Sequence, residues 1–450
     1  MKLEINDIVK ACGGRLLGDE RHEPITNIST DTRTIKSGAL FVPIAGERFD
    51  GHDYIAQAAE SGAICALTEK QSVPIDLAIP LIYVKSTRRA LMDLADYYRR
   101  LHNIKVVAIT GSAGKTTTKD MVADILSQKY KTKRTIKNFN NEIGMPLSIF
   151  QLEPDDEVLV LEMGMNHANE IHELSLVGAP DIAVITHIGD AHIENFENRE
   201  GILHAKLEIV DGLRSDGMVI LNGDDPLLTG KIAAEKIASF NVLFPNSKNI
   251  VKSEPIGFQE SRCHFRWRGD DIHLTVPIPG AHMVMNALLA TAVGIELGIT
   301  PAEITTAFEN FTPPEGRLNI FQSNNKTIID DVYNANPASM IEAIKVVCRG
   351  ETRKVAILGD MNELGHVAEP RHYEVGKFAA ETGIDLLITI GELSRHTHAG
   401  FKEVPSSGNA IHYDTLTQFN QDEFLKDNDI VLVKASRGMA FEQIIQRLKD

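Results

Sequence analysis

The chain has 450 residues, of which 43% are hydrophobic and 24% charged. This composition is typical of globular proteins and excludes a disordered or collagen-like chain. At about 150 residues per domain, the length predicts three domains. The net charge of −16 opposes binding to a polyphosphate backbone, so we expect no nucleic-acid partner.

Two further features indicate where the protein works. Its four cysteines are scattered without a CxxC spacing, which argues against disulfides and zinc sites and favours a reducing compartment. The first residues, MKLEINDIVKACGG, mix charges into every turn and contain no apolar signal region. No run approaches the about 18 apolar residues that a membrane-spanning helix needs. We therefore expect a cytoplasmic protein without membrane insertion.

Residues 1–102 predict a small mixed α/β domain at the N-terminus. Short apolar runs at 40–44, 64–67 and 81–84 predict strands, and residues 54–61 predict a helix. A second helix is predicted at 87–101, because its apolar residues recur at helical spacing and would form one face. That face consists of Leu91, Leu94, Ala95 and Tyr98.

From residue 105 the pattern changes to alternating strands and helices. Strands are predicted at 106–110, 158–162, 182–187 and 217–221, and helices at 116–128, 170–177 and 199–213. This alternation is typical of βαβ units in a mostly parallel sheet. Residues 250–277 alternate polar and apolar side chains, with Cys263, Phe265 and Trp267 on one side, and predict an antiparallel addition. Helices at 283–297 and 301–310 complete a central domain over residues 103–313.

The segment TPPEG at 312–316 predicts the next linker, because proline and glycine interrupt regular structure. Beyond it, predicted strands at 327–331, 355–358, 386–390 and 430–433 alternate with helices. This second series predicts a Rossmann-like α/β domain over residues 314–450. The fold class is therefore α/β, with a P-loop-type central domain between two further α/β domains.

The strongest single signal is TGSAGKTT at 110–117, between a predicted strand and a predicted helix. Small residues let backbone N–H groups approach phosphate oxygens at a helix N-terminus. Lys115 would neutralise the β- and γ-phosphates, and the Thr116 hydroxyl would reach Mg²⁺. The strict P-loop requires glycine where Ile109 stands, so this is the shorter TGxxGKT variant. A merely structural turn is the weaker alternative, because strand, loop, Lys-Thr and helix occur in the required order.

Three other positions carry chemistry less specifically. Glu162 ends a predicted buried strand, where α/β sheets bind ligands and where Mg²⁺ prefers carboxylate oxygens; a solvated carboxylate is an equal alternative. His187 and His192 follow the next strand together with Asp190. Alone, these histidines are better explained as solvent-facing, although a nearby phosphate loop favours a metal or phosphate role. Lys206 lies in a predicted amphipathic helix, where a solvated lysine is the ordinary interpretation.

Six motifs in one order resemble the Mur ligase family of bacterial cell-wall synthesis. They are TGSAGKTTTK (110–119), NFNNEIGMPLS (138–148), LEMGMNHANEI (161–171), ITHIGDAHIENF followed by AKLEI (185–209), PPEGRL (313–318) and DDVYNANPASM (330–340). The resemblance spans essentially the whole chain. Within the family, NFNNEIG, YNANPxSM and GDMNELG (359–365) are similar to the member that acts at the last step, and the DNPR signature of the diaminopimelate-adding member is absent.

The resemblance implies an activity as well as three domains, one each for a UDP-sugar, ATP and an amino acid or dipeptide. An ATP- and Mg²⁺-dependent ligase would join D-alanyl-D-alanine to UDP-N-acetylmuramoyl-tripeptide through an acyl phosphate. The product would be the pentapeptide precursor of peptidoglycan. The third residue of the tripeptide stays open between lysine and diaminopimelate, and we expect a monomer.

The resemblance also implies roles for single residues. The triphosphate would be held by Gly111, Ser112, Ala113, Gly114, Lys115, Thr116 and Thr117, with Asn286 at the adenine and Arg317 and Asp331 near the ribose and γ-phosphate. Mg²⁺ would be bound by Thr116, Glu162, His192 and Lys206, the lysine as a carbamate, and Lys115, Lys206 and His192 would be catalytic. Substrates would contact Thr32, Arg33, Gly46, Glu47, Arg48, Asn140, Asn141, Asn334 and Asn336. For Asn334 and Asn336 a structural turn is an equal alternative, and His187 receives no role.

Three alternatives from other classes stay open. Another ligase of the same superfamily, such as folylpolyglutamate synthetase, is opposed by the segments TDTR (30–33) and AGERFDGHDYI (45–55), which fit a UDP-sugar domain. A nucleotide-driven switch would hydrolyse ATP without needing both an acceptor and an amine. An inactive scaffold is opposed by the intact loop together with Glu162 and Lys206.

Overall fold

The structure is a computed structural model that describes residues 1–18, 22–46, 49–71 and 78–449. Contacts divide the chain into two compact units. The first unit comprises Met1–Ile109, Lys129–Ala183 and Glu208–Met218, and the second comprises Thr110–Gln128, Val184–Leu207 and Val219–Asp450. Among the described residues, no helix combines the length and the apolar character needed to cross a bilayer.

A five-stranded mixed sheet and three helices form the N-terminal part. The strands are β1 (Arg15–Leu17), β2 (Asn27–Ser29), β3 (Ala39–Phe41), β4 (Ala63–Thr68) and β5 (Leu81–Tyr83), and the helices are α1 (Ile5–Cys12), α2 (Ile55–Glu60) and α3 (Thr87–Arg100). The strand order is β1-β5-β4-β3-β2. Only the β1–β5 pair is antiparallel among the pairings of this sheet. The predicted mixed α/β character is confirmed.

Helix α3 confirms the amphipathic prediction for this segment. Its N-terminus is capped by Ser86, whose hydroxyl accepts a hydrogen bond from the Arg89 backbone N–H at 3.3 Å. The predicted apolar face is buried, and burying one large apolar side chain contributes roughly 1.5–3 kcal/mol. At the end of that face, the Tyr98 hydroxyl donates to the Leu152 carbonyl at 2.8 Å, so its polar atom is satisfied as well.

The central part contains a six-stranded sheet and a smaller antiparallel sheet. The strands are β6 (Lys105–Thr110), β7 (Thr132–Arg134), β8 (Val158–Glu162), β9 (Ile182–Ile185), β10 (Met218–Leu221), β11 (Asn241–Leu243), β12 (Ile250–Ile256), β13 (Glu260–Trp267) and β14 (Asp270–Val276). The helices are α4 (Lys115–Leu126), α5 (Gly144–Ile149), α6 (Glu170–Gly178), α7 (Arg199–Leu207), α8 (Lys231–Lys236), α9 (Ala281–Glu296) and α10 (Pro301–Glu309).

Strand β6 lies where the larger sheet changes its direction of growth. The order is β11-β10-β9-β6-β8-β7, so the next strands along the chain are added on one side of β6 and the later ones on the other. Ligands of open α/β sheets bind beyond the carboxyl ends of strands at such a point. The parallel register pairs Ile109 of β6 with Glu162 of β8. Both strands therefore end at the same level.

The predicted antiparallel addition is confirmed. Strands β12, β13 and β14 form an antiparallel sheet, in which Cys263, Phe265 and Trp267 are buried. Their intervening neighbours are more exposed, because successive side chains of a strand point to opposite faces.

The C-terminal part is a second α/β sheet within the second unit. Its strands are β15 (Asn319–Ser323), β16 (Lys326–Asp330), β17 (Lys354–Gly359), β18 (Leu386–Ile390), β19 (Asn409–Tyr413) and β20 (Ile430–Lys434), and its helices are α11 (Pro337–Val347), α12 (Ala368–Glu381), α13 (Ser394–Glu403) and α14 (Glu442–Lys449). The order is β15-β16-β20-β17-β18-β19. All these pairings are parallel except the β15–β16 hairpin, which confirms the Rossmann-like prediction.

One predicted helix is shorter than expected. Residues 199–213 were predicted as one helix, but α7 ends at Leu207 and a 3-10 turn, Glu208–Val210, follows. The Glu208 carboxylate accepts hydrogen bonds from the backbone N–H groups of Asn169 at 2.7 Å and His172 at 3.1 Å. These contacts satisfy free N–H groups at the start of α6.

Candidate active site

The loop between β6 and α4 requires glycine at two positions. Gly111 has φ 152°, and a Cβ there would lie 2.0 Å from the Thr186 hydroxyl oxygen. Gly114 has φ 82°, and a Cβ there would lie 2.7 Å from the Asn286 side-chain oxygen. The loop therefore packs tightly against two polar side chains. Asn286, predicted to contact the nucleotide, lies directly against it.

Residues after strand β9 hold this loop in place. The Ser112 backbone N–H donates to the His187 carbonyl at 2.8 Å, and its hydroxyl donates to the Gly189 carbonyl at 3.2 Å. The Thr186 hydroxyl donates to the Ala113 carbonyl. Helix α4 begins immediately afterwards at Lys115, whose ammonium donates to the Gly111 carbonyl at 2.8 Å. The result is a helix N-terminus with a cation beside it, the arrangement that binds phosphate.

Arg317 reaches the same loop from the segment after α10. Its guanidinium donates to the Thr116 hydroxyl at 3.0 Å and stacks 4.1 Å from the centre of the Tyr333 ring. Stacking fixes a planar guanidinium without consuming its donors. The second unit thus brings together four of the predicted nucleotide residues, namely Lys115, Thr116, Asn286 and Arg317.

Asp331 forms a buried ion pair just after strand β16. One carboxylate oxygen lies 2.6 Å from the Lys434 ammonium, and the other accepts from the Leu318 backbone N–H at 3.2 Å. Burial raises the pKa of Asp331, although the Lys434 charge acts against this. Because Leu318 follows Arg317 directly, the pair supports the segment that carries the arginine.

Lys206 is buried in helix α7, with 1% of its surface exposed. In the part of the chain that the structure describes, no carboxylate forms an ion pair with its ammonium. Burial and then the positive charge of Lys115 lower the pKa of Lys206 well below its ordinary value. The solvated-surface interpretation of this lysine is therefore wrong.

His192 pairs with a residue that lies far along the chain. Its Nδ1 is 2.7 Å from a carboxylate oxygen of Glu363, in the motif GDMNELG. The contact with His192 lowers the pKa of Glu363. The neighbouring His187 pairs instead with Asp225, with Nδ1 2.7 Å from the carboxylate.

Glu162 and Asn140 come together in the first unit. The Glu162 side chain is 1% exposed; one of its oxygens accepts from the Asn140 amide at 2.8 Å, and the other is buried without a hydrogen-bond partner. Asn141 has a different role, because its side chain accepts from the Gly144 backbone N–H at 2.9 Å at the start of α5.

The predicted UDP-sugar residues lie near exposed turns of the first unit. Thr32 and Arg33 begin a 3-10 turn capped by Asp31, which also pairs with the Arg33 guanidinium at 2.7 Å. The Arg33 side chain is exposed, and Gly46 donates its N–H to the Phe49 carbonyl at 2.9 Å. The predicted residues Glu47 and Arg48 lie outside the described residues.

The two candidate dipeptide residues differ in what their side chains do. Asn336 caps α11, because its side-chain oxygen accepts from the Ser339 backbone N–H at 2.9 Å and Pro337 follows at the first helical position. Asn334 accepts a hydrogen bond from Lys434 at 2.7 Å through its backbone carbonyl. Both therefore have a structural role in the connection between β16 and α11.

Sequence reasoning missed two residues of this region. Glu363 lies in a motif that was used only to establish the resemblance. Lys434 is the last residue of β20, one position beyond the predicted strand. A lysine at the carboxyl end of an apolar strand is a signal that could have found it, since this is where α/β sheets place functional groups.

Comparisons with known proteins agree along the whole chain. Three family models match it in succession: the Mur ligase family catalytic domain at residues 24–101, the Mur ligase middle domain at 109–294 and the Mur ligase glutamate ligase domain at 316–437. The UDP-N-acetylmuramoyl-tripeptide–D-alanyl-D-alanine ligase of Bacillus subtilis (strain 168) is 35% identical, and the match covers 100% of this chain and 98% of that relative.

Solved structures show the same similarity. MurF from Acinetobacter baumannii matches with a TM-score of 0.91 and 30% identity, covering 100% of this chain and 99% of that one. MurF ligase from Thermotoga maritima, solved in complex with ADP, matches with a TM-score of 0.83 and 26% identity, covering 94% and 97%. The chain belongs to the Mur ligase family.

Proposed function

We propose that this chain is an ATP-dependent ligase that joins D-alanyl-D-alanine to UDP-N-acetylmuramoyl-tripeptide. The observation that carries the proposal is the phosphate loop, with Lys115, Asn286 and Arg317 around it, in a chain similar over its full length to ligases of that name. The ADP bound to the Thermotoga maritima relative supports ATP as the nucleotide.

A carboxylate does not react with an amine until it is activated, and here ATP would activate it by phosphorylation. The terminal carboxylate of the tripeptide attacks the γ-phosphorus of ATP, and ADP leaves. The amine of D-alanyl-D-alanine then attacks the acyl carbon, phosphate leaves and the amine loses a proton. Lys115 and Arg317 would hold the phosphates and stabilise charge on the transferring group, which is the main protein contribution in phosphoryl transfer.

The residues present fit a magnesium ion. A buried carboxylate oxygen without a partner is costly, and Glu162 has one. Hard divalent cations prefer such oxygens. Thr116, His192 and Lys206 stay candidate ligands, Thr116 from the phosphate-loop motif and the other two from the family resemblance alone. When bound, Mg²⁺ would offset the repulsion between the γ-phosphate and the attacking carboxylate.

We propose that Lys206 carries a carbamate. A buried ammonium without a counter-ion is expensive, and the low pKa of Lys206 favours the neutral amine. That amine attacks CO₂, forming an N–C bond and releasing one proton. The product is an anionic oxygen donor of the kind that Mg²⁺ prefers, which the unmodified amine is not.

Substrate contacts complete the proposal. Arg33 has an exposed guanidinium that can meet a diphosphate, and Thr32, Gly46, Glu47 and Arg48 stay candidates for the same substrate. Asn140, Asn141, Asn334 and Asn336 stay candidates for the peptide substrates. The cytoplasmic location and the monomeric state stay predictions from the sequence.

The test is a reaction with ATP, UDP-N-acetylmuramoyl-tripeptide and D-alanyl-D-alanine, followed by mass analysis of the product. Tripeptides ending in lysine and in diaminopimelate are compared, and each reactant is omitted in turn. We expect the pentapeptide product and ATP turnover only when all three reactants are present. ATP turnover without a peptide substrate would support a switch, and ligation of glutamate to a folate would support the alternative ligase; either result would refute the proposal.

A further inference from the structure

Two ion pairs hold residues 190–199, which we call the His192 segment. His192 Nδ1 lies 2.7 Å from the Glu363 carboxylate, and the Arg371 guanidinium lies 3.0 Å from the carboxylate of Asp190. Asp190 also pairs with Arg199 at 2.8 Å. All these residues belong to the second unit. The C-terminal part of the chain therefore holds a segment that carries a proposed metal ligand.

The loop that presents Glu363 is itself fixed by its backbone. The Met361 N–H donates to the buried ring of His372 at 2.9 Å, and the Asn362 N–H donates to the Ser436 hydroxyl at 2.8 Å. Helix α12 and the segment after β20 thus support the two residues before Glu363. The backbone position of Glu363 is therefore well defined.

The His192 segment and the loop that presents Glu363 lie in close contact, and each contains a residue with an uncommon backbone conformation. Glu363 has φ 65° and His192 has φ 63°, both uncommon for residues other than glycine. The Glu194 backbone N–H donates to the Glu363 carbonyl at 3.3 Å. At Gly365, an added Cβ would lie 2.8 Å from the Cβ of Glu194. Such unusual backbone conformations concentrate at functional sites, where the surroundings enforce them.

The Glu363 carboxylate biases the tautomer of the imidazole by its distance, although Nδ1 of His192 is not aligned for a hydrogen bond. An ionised carboxylate offers only acceptors and would repel a ring lone pair 2.7 Å away, so a neutral ring carries its proton on Nδ1. A neutral ring then keeps its lone pair on Nε2. Carboxylates that hold the distal nitrogen of a metal-binding histidine fix both the tautomer and the orientation of the ring.

We infer that Glu363 is a positioning residue, which fixes the tautomer and orientation of His192 for binding of the magnesium–nucleotide complex. The inference rests on the proposed function only in taking His192 as a ligand of that metal. It assigns to the motif GDMNELG a contribution to the nucleotide site that the phosphate-loop motif alone does not supply.

The test measures the MgCl₂ concentration that gives half-maximal ADP binding, by calorimetry without either peptide substrate. Glu363→Ala should raise this concentration about 10-fold or more, since removing such a carboxylate typically costs 10- to 100-fold. Glu363→Gln should raise it less, because an amide oxygen can still lie against the Nδ1–H group. The matched control is Glu369→Ala, an exposed carboxylate 3.9 Å from His396, and it should change nothing.

A second measurement separates positioning from general damage to the fold. ADP binding without Mg²⁺ should be the same in all variants, and ¹⁵N spectra should show a larger fraction of the Nδ1-protonated tautomer of His192 in the wild type than in Glu363→Ala. Wild-type Mg²⁺ dependence in Glu363→Ala, or an equal loss of metal-free ADP binding, would overturn the inference. Because no substrate is needed, a failure of ligation would refute the proposed function without changing this result.

Discussion

Two buried lysines of the second unit differ in whether a carboxylate neutralises the ammonium group. Lys206 in α7 and Lys434 at the end of β20 are 1% and 2% exposed, and burial lowers the pKa of both. Lys434 lies 2.6 Å from the Asp331 carboxylate and donates to the Asn334 carbonyl. Lys206 instead has the charge of Lys115 nearby. The lysine with a carboxylate partner is stabilised as an ammonium ion. The lysine without one favours the neutral amine, which is the form that reacts with CO₂.

The largest expected effect on turnover comes from removing the positive charge of Lys115. Lys115→Ala should lower turnover by at least about 10³-fold, because it removes preorganised positive charge from the phosphates. The fold should survive, since this lysine lies on a loop-helix junction and packs little. It also removes one of the two causes that lower the pKa of Lys206. ATP turnover measures the loss of activity, and the midpoint of thermal unfolding shows whether the fold survives. Normal turnover in a folded variant would contradict the phosphate-loop assignment.

Lys206→Ala should lower activity by about 10²-fold or more, the size of effect seen when one preorganised electrostatic group of an active site is lost. Its stability should change little, because the loss of an unpaired buried amine offsets the cost of the cavity that alanine leaves. A short carboxylic acid in the buffer should restore part of the activity by filling the space. Lys206→Arg should not be restored, because its guanidinium fills the gap and keeps the wrong charge. A fully active Lys206→Ala enzyme would return this residue to a structural role.

Replacing Lys434, unlike replacing Lys206, should destabilise the fold. Lys434→Met leaves the Asp331 carboxylate buried without its partner, and should lower the free energy of unfolding by about 3–5 kcal/mol. Lys206→Met, the matched control, should not lower it. Denaturant titration of both variants measures the difference. If Asp331→Asn combined with Lys434→Met recovered none of the loss, the cause would lie outside the ion pair.

A smaller effect is expected on how the free energy of unfolding depends on pH, because Lys206 has a lowered pKa. The folded-state pKa of Lys206 lies below its ordinary value of 10.5, so between these two values the unfolded chain binds more protons. The free energy of unfolding therefore rises with pH in that window, by at most about 1.4 kcal/mol per pH unit. In CO₂-free buffer, the wild type should gain this stability relative to Lys206→Met. Parallel curves for the two proteins would contradict it.

The strands that could be predicted from the sequence differ from the others in position. Every interior strand of the three larger sheets was predicted, because burial on both faces produces a continuous apolar run such as VLVLE in β8. The six unpredicted strands, β1, β2, β7, β11, β15 and β19, are the edges of those sheets. Edge strands are partly exposed, so their residues are mixed. One signal was available: Asn324 and Asn325, both with positive φ, join β15 to β16 in a hairpin turn.

The site was predictable to the extent that its residues are local in sequence. The strand, loop and helix lie in one short stretch, and their spacing predicts phosphate binding. Lys206 could be selected only through the resemblance, because an amphipathic helix gives no sign of which lysine becomes buried. The pairs formed by Glu363 and Lys434 join residues about 100 or more positions apart in the chain, and such contacts depend on tertiary packing.

The measurement that tests the difference between the two lysines most directly is ¹³C NMR of the protein in ¹³C-bicarbonate. The wild type should show one carbamate carbonyl signal that is absent from Lys206→Met and retained in Lys434→Met at a temperature where this variant is folded. The signal should disappear when CO₂ is removed and return when it is restored. A wild-type spectrum without the signal, or a signal that persists in Lys206→Met, would contradict the assignment of the carbamate to the unpaired lysine.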